Sequence, residues 1–423
     1  MPLVLPLIAA ALLAQTTVPV PQPPTVEERV VVTATAAPAG ALSLGRGVTI
    51  VTRGDIERFA GGSIADALRL APGVDVRARG ERGVQADFVL RGASFGQALV
   101  LVDGMRLNDA QSGHHNADFP VSPASIDRIE VVTGASSSAH GADAFGGTIH
   151  IITRDGRYGE ASAAGGSFSS ARAEAAAGWS PLALSAAAWG SRSAGFMFDR
   201  DYAFGGARAA LAPAPGARLS VSHARKAFGA NGFYGASPSK EWTDQTMASA
   251  SMGRGGSRWA FDARTAYRNH GDRFRWDIAR PGFAENVHRT NAFDAAARAD
   301  RLIGSAARVT FGAGAGADWI ASSNLGDHTQ SRGAAFVEMH VPVTPRLAVQ
   351  PAVRVDTYST FGTAVSPSMA VSARMHDTWR ARVSAGRAFR VPTFTERYYS
   401  DPNHVAESAL EAEDGWTVDL GVD

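Results

Sequence analysis

Beyond Arg154 apolar and polar residues alternate with a period of two, and no helical period is found. In 259–268, Trp259, Phe261, Ala263, Thr265 and Tyr267 share one face of a strand; Ala260, Asp262, Arg264, Ala266 and Arg268 share the other. In 347–356, Leu347, Val349, Pro351, Val353 and Val355 oppose Ala348, Gln350, Ala352, Arg354 and Asp356. Gly312-Ala313-Gly314-Ala315-Gly316-Ala317 reads as small residues facing a lumen. An apolar face of this kind meets a core in a soluble sandwich and lipid in an outer-membrane barrel. Aromatic residues toward the ends of the 259–267 face favour the barrel, with Arg and Asp inside. Connections alternate short (212–216, 253–257, 342–345, 376–377) with long (193–202, 228–244, 272–288, 321–331). The pattern predicts about 14 antiparallel strands, with short turns at one end and long loops at the other.

Residues 41–154 have a different texture, a compact mixed domain. Thr49–Thr52 is a short strand, and Ser63 is placed to cap a helix whose apolar face is Ile64, Ala67, Leu68 and Ala71. Pro72-Gly73 ends that helix. Strands are predicted at 74–77, 88–90, 98–102, 126–133 and 148–153, with Asp103-Gly104 turning the chain before Met105.

At the start, Leu5–Ala14 is too short to span a bilayer as a helix and suits the apolar part of a signal peptide over 1–14. A Pro- and Val-rich linker fills 15–40. Within it Val30-Val31-Val32-Thr33-Ala34 favours a strand but has no neighbour to pair with, as a segment that adds itself to a partner's sheet edge would. The alternative is a first strand of the following domain.

Composition narrows the function. A net charge of +1 argues against a nucleic-acid binder working by bulk charge. Lys226 and Lys240 are the only lysines, so nearly all positive charge is guanidinium, suited to paired positions in poorly hydrated places. Cysteine is absent, which removes disulfides, thiolate metal sites and Cys nucleophiles. Gly92-Ala93-Ser94-Phe95-Gly96 has the spacing of a nucleophile elbow, but a strand follows it where the elbow needs a helix. Ser237-Pro238-Ser239-Lys240 lacks the companion motifs of S-x-x-K enzymes. No constellation supports an enzyme, a cofactor or a metal site. The adjacent His114 and His115 lack a third ligand, and no carboxylate cluster in the long loops is spaced for calcium.

Several blocks resemble a known family. Val30–Ala34 after Glu27-Glu28-Arg29 looks like the TonB box of TonB-dependent outer-membrane receptors. Asp66–Val74, Phe88–Ser94 and Ala98–Asn108 are similar to that family's plug helix and central plug strands. The most specific resemblance is Ile126-Asp127-Arg128-Ile129-Glu130-Val131-Val132-Thr133-Gly134, continuing through Gly141–Thr153. Gly386-Arg387-Ala388-Phe389-Arg390-Val391-Pro392-Thr393-Phe394 with Glu396 resembles a signature barrel strand. The blocks occur in the family's order over nearly the whole chain, nearest the cobalamin-receptor-like and siderophore-receptor-like groups.

The resemblance implies a mixed α/β plug (41–154) inside an antiparallel transmembrane β-barrel (155–423). About 14 of the 22 strands of the large plugged barrels are present, so a fragment is expected, the last strand pattern running to Asp423. It implies an outer-membrane receptor of a Gram-negative-type bacterium. Such a receptor takes up a scarce nutrient, a metal chelate such as a ferric siderophore or cobalamin, with energy from a periplasmic TonB protein that captures Val30, Val31, Val32, Thr33 and Ala34. Candidate substrate contacts in the plug are Arg77, Arg79, Arg82, Ser94, Phe95, Gln97, His114, His115 and Asn116; in a long aromatic loop they are Phe233, Tyr234 and Trp242. The arginines suit an anionic chelate, or else form salt bridges to barrel carboxylates. A passive porin-like channel and a surface β-rich adhesion protein are the alternative functions.

Overall fold

Strands with one apolar and one polar face must pair, and here they pair in sequence order into one 14-stranded antiparallel sheet wrapped around a smaller mixed sheet. The computed structural model describes residues 31–32, 39–40, 44–59, 62–134, 136–180, 183–376 and 378–423. The signal-peptide reading of 1–14 and most of the linker lie outside them. Of the TonB-box segment, β1 (Val31–Val32) pairs antiparallel with β2 (Ala39–Gly40), apart from every other sheet. Val30, Thr33 and Ala34 lie outside the described residues.

The inner unit runs through β3 (Gly47–Thr52), α1 (Arg53–Arg58), α2 (Ile64–Leu68), β4 (Val74–Ala78), β5 (Ala86–Leu90), β6 (Ala98–Val102), β7 (Met105–Arg106), β8 (Ile126–Thr133), α3 (Ser137–His140) and β9 (Gly147–Thr153). Its central sheet has the order β3-β8-β9-β6-β7, with β6 and β9 parallel; β4 and β5 form a separate hairpin. Local signals place these elements. Thr52 and Asp55 close a capping box on α1, and the Ser63 hydroxyl accepts from Asp66 N at 3.0 Å. Asp103 (φ +50°) and Gly104 (φ +78°) turn β6 into β7 as a primed hairpin. Leu68, Phe88, Leu90, Val100, Leu107, Ile129, Val131, Ile149 and Ile151 form the fully buried core.

The outer sheet comprises β10 (Tyr158–Gly166), β11 (Ser170–Trp179), β12 (Leu184–Ser193), β13 (Tyr202–Leu211), β14 (Ala217–Gly229), β15 (Lys240–Gly255), β16 (Trp259–Arg275), β17 (Glu285–Ile303), β18 (Ala307–Ser322), β19 (His328–Thr344), β20 (Leu347–Tyr358), β21 (Gly362–His376), β22 (Trp379–Arg390) and β23 (Glu413–Val422). Among the described residues β10 pairs only with β11, and β23 only with β22. The alternation reads out as expected: on β16 Phe261 and Tyr267 face outward, while Ala266, Arg268 and His270 are buried toward the inner unit. On β23 Trp416, Val418, Leu420 and Val422 form an exposed apolar row. No helix among the described residues is long and apolar enough to cross a membrane, and a barrel crosses with strands instead.

Three expectations need correction. The long connections are shorter than read, 230–239, 276–284 and 323–327, because the strands continue past the point where their apolar face ends. There, Arg273 and Arg275 on β16 both pair with Glu285 on β17, and charge pairs sustain the ladder. Second, one short helix does occur beyond Arg154: α4 (Phe394–Tyr398), started by a Thr393–Glu396 capping box. Third, only the glycines of 312–317 face inward; Ala313 and Ala315 point outward, as a period of two requires.

Candidate functional site

At the long-loop end the turns of the inner unit meet the upper parts of β14, β15 and β16. Phe95 opens a short 3₁₀ turn (Phe95–Gln97) held by a Ser94–Gln97 capping box, which aims the ring across Gly113 at His114. A Cβ at Gly113 would lie 2.9 Å from the Phe95 ring, so the close approach requires glycine. Phe95 and His114 stack with ring centroids 4.4 Å apart, and His114 Nδ1 meets Asp87 Oδ1 at 2.7 Å. From the other side Arg79 lies over the Tyr234 ring at 5.5 Å, donates to the Phe233 carbonyl at 3.1 Å and reaches Asp87 at 3.4 Å. Gln85 donates to the Tyr234 hydroxyl at 2.5 Å, and that hydroxyl donates to Glu241 at 3.3 Å. Phe233 packs on Phe228, Tyr202 and Val84. Five predicted residues therefore converge: Arg79, Phe95, His114, Phe233 and Tyr234.

The other seven do not join that group. Arg77 pairs with Asp75 at 2.9 Å, both largely exposed. Arg79 and Arg77 thus pair with carboxylates of the inner unit, not of the barrel. Arg82, at φ +51°, lies toward Lys226 and Trp189 on the barrel wall. Ser94 caps its turn, and Gln97 donates to Glu413 on β23 at 2.9 Å. Trp242 is on the outward face of β15 between Arg273 and Arg275, not in a covering loop, because β15 begins at Lys240. Asn116 is buried and accepts from Asp109 N.

His115 turns inward, opposite to His114, into a buried polar nest that pattern reading missed. Lys226 from β14 pairs with Asp118 at 2.8 Å and also donates to the carbonyls of Gly83, Val84 and Ala117. Arg268 from β16 pairs with Asp109 at 2.7 Å. His270 touches Asp109 with Nδ1 (2.9 Å) and Asp118 with Nε2 (3.2 Å). His115 lies 3.5 Å from Asp272 and 3.8 Å from Asp118, and Gln111 donates to Asp272 at 2.7 Å. Burial alone would lower the pKa of His115, but the Asp272 hydrogen bond and the surrounding carboxylates push it up to about 10. Burial would raise the pKa of Asp118, yet the Lys226 ammonium and the two imidazoles hold it well below the carboxylate range. The signal was present in the sequence: Arg268, His270 and Asp272 occupy alternate positions on one strand face. It was hidden because 272–288 read as a loop.

Elsewhere along the seam the barrel holds the inner unit by polar contacts. Arg208 pairs with Asp103 at 2.6 Å, Arg53 with Glu160 at 2.6 Å, and Arg106 with Asp143 inside the inner unit. Gln245 donates to Asp118 O, Gln350 accepts from Gly45 N, and Ser368 donates to Ser138 Oγ at 2.8 Å. Phe394 N and Thr395 N of α4 donate to the carbonyls of Ala110 and Gln111.

Comparison with known proteins agrees with this architecture. Residues 41–148 match the family model for the TonB-dependent receptor plug domain, and residues 132–423 match that for the TonB-dependent receptor-like β-barrel. The chain is similar in fold to the siderophore receptor PirA from Pseudomonas aeruginosa (TM-score 0.71, 19% identity, covering 89% of this chain and 71% of that one). It is similar to the ferric enterobactin receptor PfeA of the same organism (0.70, 16%, 89% and 68%). It is also similar to the siderophore receptor PiuA from Acinetobacter baumannii (0.71, 14%, 93% and 72%).

Proposed function

The chain belongs to the TonB-dependent receptor family, and from that membership we propose that it is an outer-membrane receptor for energised uptake of a scarce nutrient, a metal chelate of the siderophore class or a cobalamin. The observation that carries the reading is the seam between plug and barrel. The plug buries its main apolar core within itself; beside small apolar patches such as Val84 with Phe228 and Met105 with Met247, it meets the wall through arginine, lysine and amide contacts. Such contacts can be exchanged for water at modest net cost, so the plug can move without exposing its core.

The outer membrane holds no ATP, so the work must come from elsewhere. A periplasmic TonB protein pairs with Val30–Ala34 by strand addition and pulls on the plug. At the external end Arg79 offers positive charge and donors, His114 a ring nitrogen, and Phe95, Phe233 and Tyr234 ring faces, a combination suited to an anionic aromatic chelate. The Asp87 carboxylate that holds Arg79 and His114 in the unliganded chain is the group such an anion displaces.

The test is uptake of ⁵⁵Fe-loaded siderophores from the source cells' own spent medium, in an outer membrane carrying this chain or a variant lacking Val30–Ala34. Loss of uptake at unchanged membrane abundance supports the reading. Unchanged uptake means a passive channel, and no uptake by either form removes the transport function.

A further inference from the structure

We propose that His115, at the plug–barrel seam, is the shared ligand of a site for a divalent transition-metal ion, with Asp118 and His270 on one side of its ring and Glu241 and Asp272 on the other. The ligand atoms of His115, Asp118 and His270 lie within 4.8 Å of one another, and so do those of His115, Glu241 and Asp272. All five residues are buried.

Hydrogen bonding points to an ion. Asp272 Oδ1, Gln111 Oε1 and the hydroxyl of Thr290, which is opposite His270 on the neighbouring strand, are buried without a hydrogen-bond partner. Groups this enclosed ordinarily find one.

Donor chemistry selects the class. Two imidazoles with carboxylates suit zinc and its neighbours in the first transition row, whereas calcium and magnesium favour all-oxygen sets. Register orders the two triads along the lumen. Asp272 pairs with Thr243 and His270 with Gln245, so the Glu241–Asp272 triad lies one two-residue step, about 7 Å, nearer the long-loop end. His115 is the only plug ligand common to both, so one ring joins an outer to an inner position. The site goes beyond the uptake reading and does not depend on TonB.

The experiment is calorimetric titration of Zn²⁺ into the detergent-purified full chain, stripped with chelator, alongside His115→Gln and Glu241→Gln variants. Elemental analysis of the untreated protein and visible absorption of the Co²⁺ form accompany it. The expected result is one ion per chain, at least about tenfold weaker binding in each variant, and no competition from a large excess of Mg²⁺. Amide exchange of β8 and β9 checks that each variant keeps its plug. Zinc recovered without addition marks a resident ion, and zinc bound only on addition marks a transiting one; both support the site. Binding unchanged in both folded variants, or no binding, overturns it. Failure here leaves the Val30–Ala34 deletion result untouched, so the two readings fail separately.

Discussion

Single residues on the inner face decide how the plug is held. Lys226 is one of two lysines in the chain and reaches three carbonyls and Asp118. A compact ammonium on a flexible stem fits this fan of acceptors, which a planar guanidinium does not. Lys226→Met strands Asp118 in a buried position and is expected to weaken plug docking by about 3 kcal/mol; faster amide exchange across β5 and 113–118, with the barrel unchanged, is the check. His150 is buried, and burial pulls its pKa down to about 3, helped by Arg264, His140 and Arg128 and opposed by Asp103. Its folded value lies below the unfolded one, so its contribution is complete above about pH 6.5 and is lost as pH falls toward 3. Protection of β9 amides should therefore drop by about 2 kcal/mol between about pH 6.5 and 5, and His150→Gln should flatten that step. His115 shows what pattern reading misses at this scale. A His-His pair in a polar turn gives no hint that the two rings point to opposite sides, one onto Phe95 and one into the barrel wall.

At the scale of elements, more was legible. Predicted strands 98–102 and 126–133 match β6 and β8 residue for residue, because β-branched runs bounded by Gly and Asp turns leave little choice. The inward and outward faces of β16 and β20 also followed from period alone. What period could not give is where a barrel strand ends, since above the bilayer a strand needs no apolar face and is held by pairs such as Arg275–Glu285. That placed Trp242 and Asp272 in loops and concealed the polar row facing the plug. The Tyr234 hydroxyl is one of several ties on the loop 230–239, beside Arg79 on the Phe233 carbonyl and Arg200 on that of Asn231. Tyr234→Phe removes the link between Gln85 and Glu241 and should loosen the loop. Cleavage within 230–239 by added protease on intact cells should accelerate severalfold, with the barrel strands resistant.

For the whole molecule, the excess of arginine over lysine has a use: guanidinium groups from the barrel (Arg208, Arg268 and Arg380 among them) grip plug carboxylates and carbonyls around the lumen, and the plug keeps its main apolar core to itself. On the proposed route of uptake the plug moves by breaking the seam, not by unfolding its centre. The chain has no cysteine, and Ser138 on α3 of the plug accepts a hydrogen bond from Ser368 on β21, their hydroxyls being 2.8 Å apart. A Ser138→Cys/Ser368→Cys variant therefore introduces a single lock across the seam. The decisive measurement is ⁵⁵Fe-siderophore uptake by cells carrying this variant, oxidised and then reduced. Uptake that is abolished by the disulfide and restored by reductant is the predicted result. Uptake at the unlocked rate through the oxidised, verified cross-link would contradict movement of the plug as the route of entry.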